Sequence, residues 1–306
     1  MHLGPDNQSF HSIDKLFTVL IYNNVAKFEI FKMPNTPILI LLVTALLPAS
    51  AEIHSNHASH DINVTTYAEG LEKPWGMTFL PDGRLLVTEK AGNLRIVNQD
   101  GTVSASIAGM LPVNATGQGG LLDVVLDPDF SNNAMLYFSF AMVESGDQSR
   151  TAVGKAKLTK DGLADVQQIW QQAHSRKAGY HYGSRLVFDR TGYLFVTLGD
   201  RNYGKDEVQS LSTHFGKVVR IDTDGKPAKD NPFINTDGAL PDIYSYGHRN
   251  IQGAFLHPNS GELWGNEHGP KGGDEINLIQ AGKNYRFQQL LISPCHFHKS
   301  EKQIHK

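Results

Sequence analysis

The chain repeats one short pattern, which first occurs as Phe79-Leu80-Pro81-Asp82-Gly83-Arg84-Leu85. Each copy has an apolar residue, then a turn built from Pro, Asp, Asn or Gly. Asp-Gly and Asn-Gly corners suit tight hairpins, because these residues tolerate the left-handed backbone that such turns need. Three further copies follow at intervals of roughly 45 to 70 residues: Leu126-Asp127-Pro128-Asp129-Phe130, Phe188-Asp189-Arg190-Thr191-Gly192-Tyr193-Leu194 and Leu256-His257-Pro258-Asn259-Ser260-Gly261-Glu262-Leu263.

Repeats of about this length are typical of β-propellers, whose blades are four-stranded sheets of ~40 to 50 residues. From Ile53 onward the chain has short β-branched and aromatic runs ended by turn residues, without long helical periodicity. We therefore predict an all-β fold, with its clearest strands at 85–88, 94–97, 135–140, 193–197 and 218–221. A β-sandwich is the alternative, but it predicts no recurrent lead-in.

Acidic residues follow the apolar run in three of the repeats, at Glu89, Asp200 and Glu267. In a propeller such strand ends gather around the central channel, where ligands bind. The pattern favours a common polar mouth formed by the three acids. Structural turns are the alternative explanation for all three.

Composition limits the choice of partner. The chain has 306 residues, 40% of them hydrophobic, and a formal net charge of -3 with both signs intermixed. It has no basic stripe for nucleic acid and no polybasic patch for a membrane surface, so a small molecule is the expected partner. The single cysteine, Cys295, allows no internal disulfide.

Residues 33–51 have the pattern of a secretory signal peptide. Lys32 and Met33 precede an apolar run at 38–47, and the small residues Ala49-Ser50-Ala51 follow it. We expect cleavage after Ala51 and a periplasmic or secreted protein. A membrane anchor is the alternative, but the run is about half of the ~20 residues that span a bilayer. We treat residues 1–51 as an upstream extension plus this signal, outside the fold.

The window 246–285 is unusually dense in polar groups: it contains Arg249-Asn250, Glu267-His268-Gly269-Pro270 and Asp274-Glu275. A guanidinium binds carboxylates in a bidentate way, and carboxylates with backbone carbonyls suit calcium. The window therefore predicts a site for an acidic ligand and a metal. A salt bridge between Arg249 and a repeat acid is an alternative, as is a capping or salt-bridge role for Glu275.

Two further residues are candidates for chemistry. His181 lies in a loop flanked by Gly179 and Gly183, directly before a repeat strand. A neutral imidazole there could remove a hydroxyl proton near neutral pH, although a structural histidine is the alternative. Gln118 lies among three glycines, in a spacing that matches neither common nucleotide-binding loop. A tight turn is the alternative for this segment.

These segments together resemble the pyrroloquinoline-quinone (PQQ)-dependent soluble aldose sugar dehydrogenases, the family of soluble glucose and sorbosone dehydrogenases. The resemblance spans residues 71–285, and its specific motifs are 117–125, 181–189, 246–253 and 266–277. It implies a six-bladed β-propeller, of which this chain holds about four blades. It also implies an external electron acceptor and an aldose sugar oxidised at C1 to the lactone, with hydride transfer to PQQ.

The resemblance also implies site residues. His181 matches the base that removes the C1 hydroxyl proton. Three residues match cofactor contacts and four match calcium ligands: Gln118, Arg249 and Asn250 for PQQ, the Gly269 and Pro270 carbonyls for one Ca²⁺, and Glu275 with the Tyr285 carbonyl for a second, structural Ca²⁺. In the glucose dehydrogenase branch an acid precedes the histidine and orients it, whereas this chain has Tyr180.

The family pattern stops after Tyr285, where Arg286-Phe287 leads into an unrelated tail. The expected organisation is a partial propeller domain at 52–287 and a non-family tail at 288–306. Missing blades leave sheet edges unpaired, which favours pairing with another chain, including a homodimer. An inactive protein is the alternative that the missing blades raise. The alternatives to a dehydrogenase are a non-catalytic calcium-stabilised binding propeller and a metal-dependent propeller lactonase.

Overall fold

The structure is a computed structural model that describes residues 16–22, 25–31, 64–202, 204–270 and 272–287. The expected signal peptide at 33–51 with its cleavage point after Ala51, Cys295 and the tail at 288–306 lie outside these residues. Strands β1 (Leu16–Tyr22) and β2 (Val25–Phe31) pair antiparallel in the upstream extension that the sequence excludes from the fold. Within the described residues, no helix has the length and hydrophobicity needed to span a bilayer.

Four antiparallel sheets follow one another along the chain. The first contains β3 (Pro74–Phe79), β4 (Leu85–Glu89) and β5 (Asn93–Val97). The second contains β6 (Leu121–Leu126), β7 (Met135–Val143), β8 (Gln148–Thr159) and β9 (Gly162–Gln171), and the short β10 (Arg176–Lys177) also pairs with β8.

The third sheet contains β11 (Leu186–Phe188), β12 (Leu194–Thr197), β13 (Lys217–Ile221) and β14 (Ile243–Tyr246). The fourth contains β15 (Ile251–Leu256), β16 (Leu263–Glu267) and β17 (Glu275–Ile279). The helices of the described part are one short α-helix, α1 (Phe130–Asn133), and a 3-10 turn (Lys205–Glu207).

The all-β prediction is confirmed, and the repeated pattern has a definite place in the fold. Each of its four copies forms the turn between the first and second strands of one sheet. The first copy, for example, joins β3 to β4, and the last joins β15 to β16. The sequence repeat therefore marks four successive sheets, one copy in each.

Hydrophobic clusters fill the spaces between successive sheets. Because alternate strand residues point to opposite faces, Phe138 of β7 packs with the first sheet and Tyr137 packs with the third. In the same way, Val219 of β13 packs with the second sheet and Val218 with the fourth. The four sheets are thus stacked face to face.

Buried hydroxyl groups also tie each sheet to the next. Thr88, Ser139 and Thr197 lie on the second strands of the first three sheets. Each accepts a backbone N–H from the first strand of its own sheet or the residue before it. Each hydroxyl also donates to a carbonyl at the start of the following sheet: Leu122 at 2.5 Å, Ser184 at 2.6 Å and Ile251 at 3.2 Å. A satisfied hydroxyl at each junction fixes the spacing of the sheets, because an unpaired buried polar group would be costly.

One arginine contacts the first strands of the other three sheets. Arg185, directly before β11, donates from Nη1 to Asp123 Oδ1 of β6 at 2.8 Å. Its Nε and Nη2 donate to the Gln252 carbonyl of β15 at 3.2 and 3.1 Å, and its guanidinium lies 4.5 Å from the Trp75 ring centre of β3. Asp123 is 2% exposed, and burial raises its pKa although the Arg185 charge opposes this. Arg185 thus compensates a buried carboxylate where four sheets meet.

Lys217 of β13 predicts a pH dependence of stability. Its buried ammonium group donates to the carbonyls of Glu207, Val208 and Phe215, at 3.4, 2.9 and 2.6 Å. Burial lowers its pKa from 10.5 to about 7. Between these two values the unfolded chain binds more protons than the folded one, so this lysine makes the free energy of unfolding rise with pH.

We expect Lys217→Met to remove that contribution, which urea denaturation at several pH values between 7 and 10 would measure. The exposed Lys157 of β8 provides a control, since Lys157→Met is expected to leave the pH dependence as it is in the wild type. If the free energy of unfolding changes with pH in the same way in the wild type and in Lys217→Met, Lys217 does not cause this pH dependence.

Candidate active site

His181 is held by hydrogen bonds in an unusual backbone conformation. It lies in the loop from β10 to β11, with a φ of +51°, and it is 8% exposed. Its backbone N–H donates to Gln118 Oε1 at 2.9 Å, and its Nδ1 lies 2.5 Å from Asp200 Oδ1. A non-glycine residue in the left-handed region costs energy, and such residues cluster at functional sites.

Asp200 determines how the imidazole is used. A carboxylate that accepts the Nδ1 proton leaves the lone pair on Nε2, which is the tautomer a base requires. Asp200 is itself fixed, since its Oδ1 accepts the Asn202 N–H at 2.8 Å and its own N–H donates to the Arg249 carbonyl at 2.8 Å. Gly199 permits this approach, because a Cβ there would collide with the His181 carbonyl.

The sequence did not predict this pairing. It marked Asp200 as a repeat acid and noted that Tyr180 stands where the glucose dehydrogenase branch has an orienting acid. The structure supplies an acid for His181 from a different strand end. The signal that could have found it was the recurrence of an acid after the second strand, which placed Asp200 at the expected mouth.

The other predicted cofactor contacts lie around the same histidine. Asn250 Oδ1 accepts the Gly183 N–H and a Gln252 amide proton, both at 3.1 Å. The Gln118 segment is a tight turn, with the Gly119 N–H bonded to the Thr116 carbonyl, and it also carries an exposed amide next to His181. Gln118 can therefore belong to a tight turn and also contact His181, although the sequence presented a turn and a role at the site as alternatives.

Arg249, whose carbonyl accepts the Asp200 N–H, lines a pocket that His181, Gln118 and Asn250 do not line. The pocket is lined by Arg249, Glu267, His268, Gly269, Pro270, Gly272, Gly273, Glu275, Tyr285 and Phe287. Arg249 forms no salt bridge with a repeat acid in the described part of the chain, contrary to the alternative considered from sequence. Its side chain donates to the His268 carbonyl at 3.2 Å, and its guanidinium lies 5.8 Å from the Phe287 ring centre.

A buried network under this pocket holds the backbone of Arg249. Glu267 Oε2 accepts the Arg249 N–H at 2.8 Å, and Glu267 Oε1 lies 3.2 Å from His248 Nδ1. Burial opposes ionisation of Glu267, but His248, with the Arg249 N–H and the Asn277 amide, outweighs it and lowers the pKa of this carboxyl group. His248 is fully buried, with its Nε2 2.9 Å from Ser245 Oγ and its ring stacked on Tyr285 at 4.3 Å.

The three repeat acids are all buried, but their partners differ. Asp200 accepts a hydrogen bond from His181, and its own N–H donates to the Arg249 carbonyl. Glu267 accepts the N–H of the same arginine. Glu89 instead accepts the Glu72 N–H at 2.7 Å and lies 3.4 Å from Arg95 in the first sheet. The hydrogen bonds thus bring two of the three expected mouth residues together around Arg249.

The expected calcium ligands lie in and beside a tightly curled loop. The Gly269 N–H donates to Asp274 Oδ1 at 2.9 Å, and a Cβ on Gly269 would collide with the Gly272 carbonyl and lie 2.7 Å from that of Gly273. The Glu275 carboxylate is exposed and accepts from Asn277 at 3.1 Å. Across the described residues, no three His, Cys, Asp or Glu side chains cluster as metal ligands.

The chain is similar to known sugar dehydrogenases. Residues 71–294 match the family model described as Glucose / Sorbosone dehydrogenase. Over 250 residues the chain is 42% identical to the aldose sugar dehydrogenase YliI of Escherichia coli. The aligned region covers 81% of this chain and 65% of that protein.

Two solved structures have a similar fold. The apo-form crystal structure of the soluble aldose sugar dehydrogenase from Escherichia coli has a TM-score of 0.70 and 43% identity, over 73% of this chain and 65% of that one. The PQQ-bound aldose sugar dehydrogenase from Streptomyces coelicolor has a TM-score of 0.59 and 30% identity, over 72% and 64%. The chain thus spans just under two thirds of each of these proteins.

Four stacked sheets with a polar site at their strand ends define a protein of the β-propeller class. The structural similarity above agrees with this class. Since the family model covers most of its length, the chain belongs to the Glucose / Sorbosone dehydrogenase family.

Proposed function

We propose that this chain is a periplasmic or secreted quinoprotein that oxidises an aldose sugar at C1 to the lactone. The observation that carries the proposal is the His181–Asp200 pair, joined through the backbone of Arg249 to an open pocket. The PQQ-bound aldose dehydrogenase among its structural relatives supports the choice of oxidant. The segment 33–51 supports export, and reoxidation requires an external electron acceptor.

His181 is the proposed base. Its Nε2 takes the proton of the C1 hydroxyl group, while Nδ1 keeps its hydrogen bond to Asp200. Asp200 stabilises the imidazolium that forms and holds the ring in place, as a carboxylate does in other base–orienter pairs. When bound, PQQ supplies the two-electron oxidant that accepts the C1 hydride. Loss of the proton and the hydride converts the substrate to the lactone.

The residues present fit an anionic, planar quinone. Gln118, Arg249 and Asn250 are the proposed contacts. Among the described residues, the Arg249 guanidinium donates one hydrogen bond, to the His268 carbonyl, which leaves donors of the fork for a carboxylate or a quinone oxygen. The aromatic ring of Phe287 lines the same pocket. The available donors of Arg249 and the ring of Phe287 therefore suit such a cofactor.

Calcium is the proposed metal. The carbonyls of Gly269 and Pro270 are the proposed ligands of one ion beside the cofactor, and Glu275 with the Tyr285 carbonyl those of a second, structural ion. Calcium accepts several oxygen ligands, including backbone carbonyls. The structure supports the assignment in one respect, because all four of these residues line the same pocket.

Reconstitution of the purified chain tests the proposal. PQQ and Ca²⁺ are added, and reduction of an artificial electron-accepting dye is followed with several aldoses. We expect aldose-dependent dye reduction that requires both additions. Hydrolysis of a lactone without dye reduction would instead favour the lactonase, and PQQ binding without any turnover would favour a non-catalytic binding protein.

A further inference from the structure

Arg201 is a buried arginine without a carboxylate partner among the described residues. It is 0% exposed, although it directly follows Asp200 in a turn. Its donors go to three backbone carbonyls: Nε to Tyr180 at 3.0 Å, Nη1 to Ser149 at 2.9 Å and Nη2 to Lys177 at 3.3 Å. The face of its guanidinium lies over the Tyr182 ring, with its central carbon 3.8 Å from the ring centre.

This burial is costly, so it calls for a reason. A charged group removed from water is penalised unless its hydrogen bonds are replaced. Burial lowers the pKa of Arg201, although backbone carbonyls, the Tyr182 ring and the negative charges of Asp200 and Glu144 favour its charged form. A guanidinium presents five donors in one rigid plane, whereas the three donors of a lysine rotate.

The groups that Arg201 holds surround His181. The Tyr180 carbonyl lies on one side of the histidine in the chain and the Tyr182 ring on the other. The backbone N–H of Arg201 also donates to the His181 carbonyl at 3.3 Å. Both His181 and Arg201 have left-handed backbones, with φ values of +51° and +55°. Such conformations persist only where the surroundings impose them.

We propose that Arg201 is a positioning residue, which fixes the loop of His181 so that the imidazole meets both Asp200 and the substrate hydroxyl group. Arg201 does not itself contact the substrate. Asp200 holds the imidazole ring, and Arg201 contacts the Tyr180 carbonyl before His181 and the Tyr182 ring after it. This inference rests on the proposed function for one point, the reaction in which His181 acts as the base.

Arg201→Lys and Arg201→Met test the role, with Arg150→Lys and Arg150→Met as matched controls. Arg150 also donates to backbone carbonyls, those of Gln172 and Ala173 at 3.2 and 3.3 Å, but these lie outside the His181 loop. We expect both Arg201 variants to lower kcat about 10- to 100-fold, because small misplacement of a catalytic group has effects of this size. KM and PQQ retention should change little, and the Arg150 variants should keep kcat within about twofold of wild type.

A double variant separates positioning from general structural support. In a His181→Ala background, Arg201→Lys should lower kcat no further, since residues that act as one unit are non-additive. A purely structural role predicts the same proportional loss with and without His181. That result, or Arg201 variants that match the Arg150 variants, would overturn the proposal.

Proton NMR of the protein without cofactor gives a test that needs no turnover. The hydrogen bond between His181 Nδ1 and Asp200 should give a downfield imidazole N–H signal that is absent in His181→Ala. We expect Arg201→Lys to shift or lose this signal and Arg150→Lys to keep it. An unchanged signal in Arg201→Lys would count against the proposal, even if the protein proved to lack aldose oxidation altogether.

Discussion

His181→Ala should lower kcat for aldose oxidation by about 10²- to 10⁴-fold, the usual contribution of a general base. The substitution removes the Nε2 lone pair that accepts the proton. In the wild type, the hydrogen bond from Nδ1 to Asp200 keeps this lone pair free. Asp200→Asn should have an effect in the same range, because an asparagine amide can donate to Nδ1 and so favour the tautomer with a proton on Nε2. Steady-state kinetics of the reconstituted protein would measure both changes.

PQQ retention is the control for both variants. Neither side chain is a proposed cofactor contact, so both proteins should bind PQQ as the wild type does. If His181→Ala keeps kcat within a few-fold of wild type, another group removes the proton. If Asp200→Asn keeps full activity while His181→Ala does not, the histidine does not depend on the carboxylate for its tautomer.

The second large effect concerns stability. Arg185→Leu should lower the free energy of unfolding by about 3–5 kcal/mol, since it leaves a buried carboxylate without its charge partner. The Asp123 side chain is 2% exposed and would retain only its backbone N–H donors, Val124 and Leu186. The same variant removes the contacts to Gln252 and Trp75, and thus loosens all four first strands.

Urea denaturation of three variants would measure this effect. Arg84→Leu breaks an exposed salt bridge, in which the side chains of Arg84 and Asp82 are 40% and 52% exposed. It should lower the free energy of unfolding by at most about 1 kcal/mol. Arg185→Leu combined with Asp123→Asn should recover part of the loss, because no unpaired charge remains buried. Equal losses for Arg185→Leu and Arg84→Leu would show that Arg185 does not anchor the sheets.

Local patterns were sufficient to predict the sheets. Turn chemistry at Pro81-Asp82-Gly83 and its three counterparts is a property of a few neighbouring residues, and so it is visible in sequence. Strand runs such as 85–88 are equally local, since side chains alternate with period two. The structure adds that every copy of the repeat occupies the same turn of its sheet.

Partners across sheets could not be predicted in the same way. Arg185 is 62 residues from Asp123 and 67 from Gln252 in the chain, and its role depends on how the sheets stack. The choice of Asp200 as the partner of His181, and of carbonyls as the partners of Arg201, depends likewise on three-dimensional packing. Sequence analysis therefore marked candidate site residues that carry motifs and missed the residues that hold them in place.

Retention of PQQ after gel filtration tests the central claim most directly. The intact chain is mixed with PQQ and Ca²⁺, separated from free cofactor and examined by its quinone absorbance, alongside His181→Ala and Arg249→Ala. The wild type and His181→Ala should retain PQQ and Arg249→Ala should lose most of it, because the Arg249 guanidinium is the positively charged group proposed to bind the cofactor in this pocket. Failure of the wild type to retain PQQ, or equal retention by Arg249→Ala, would contradict the account.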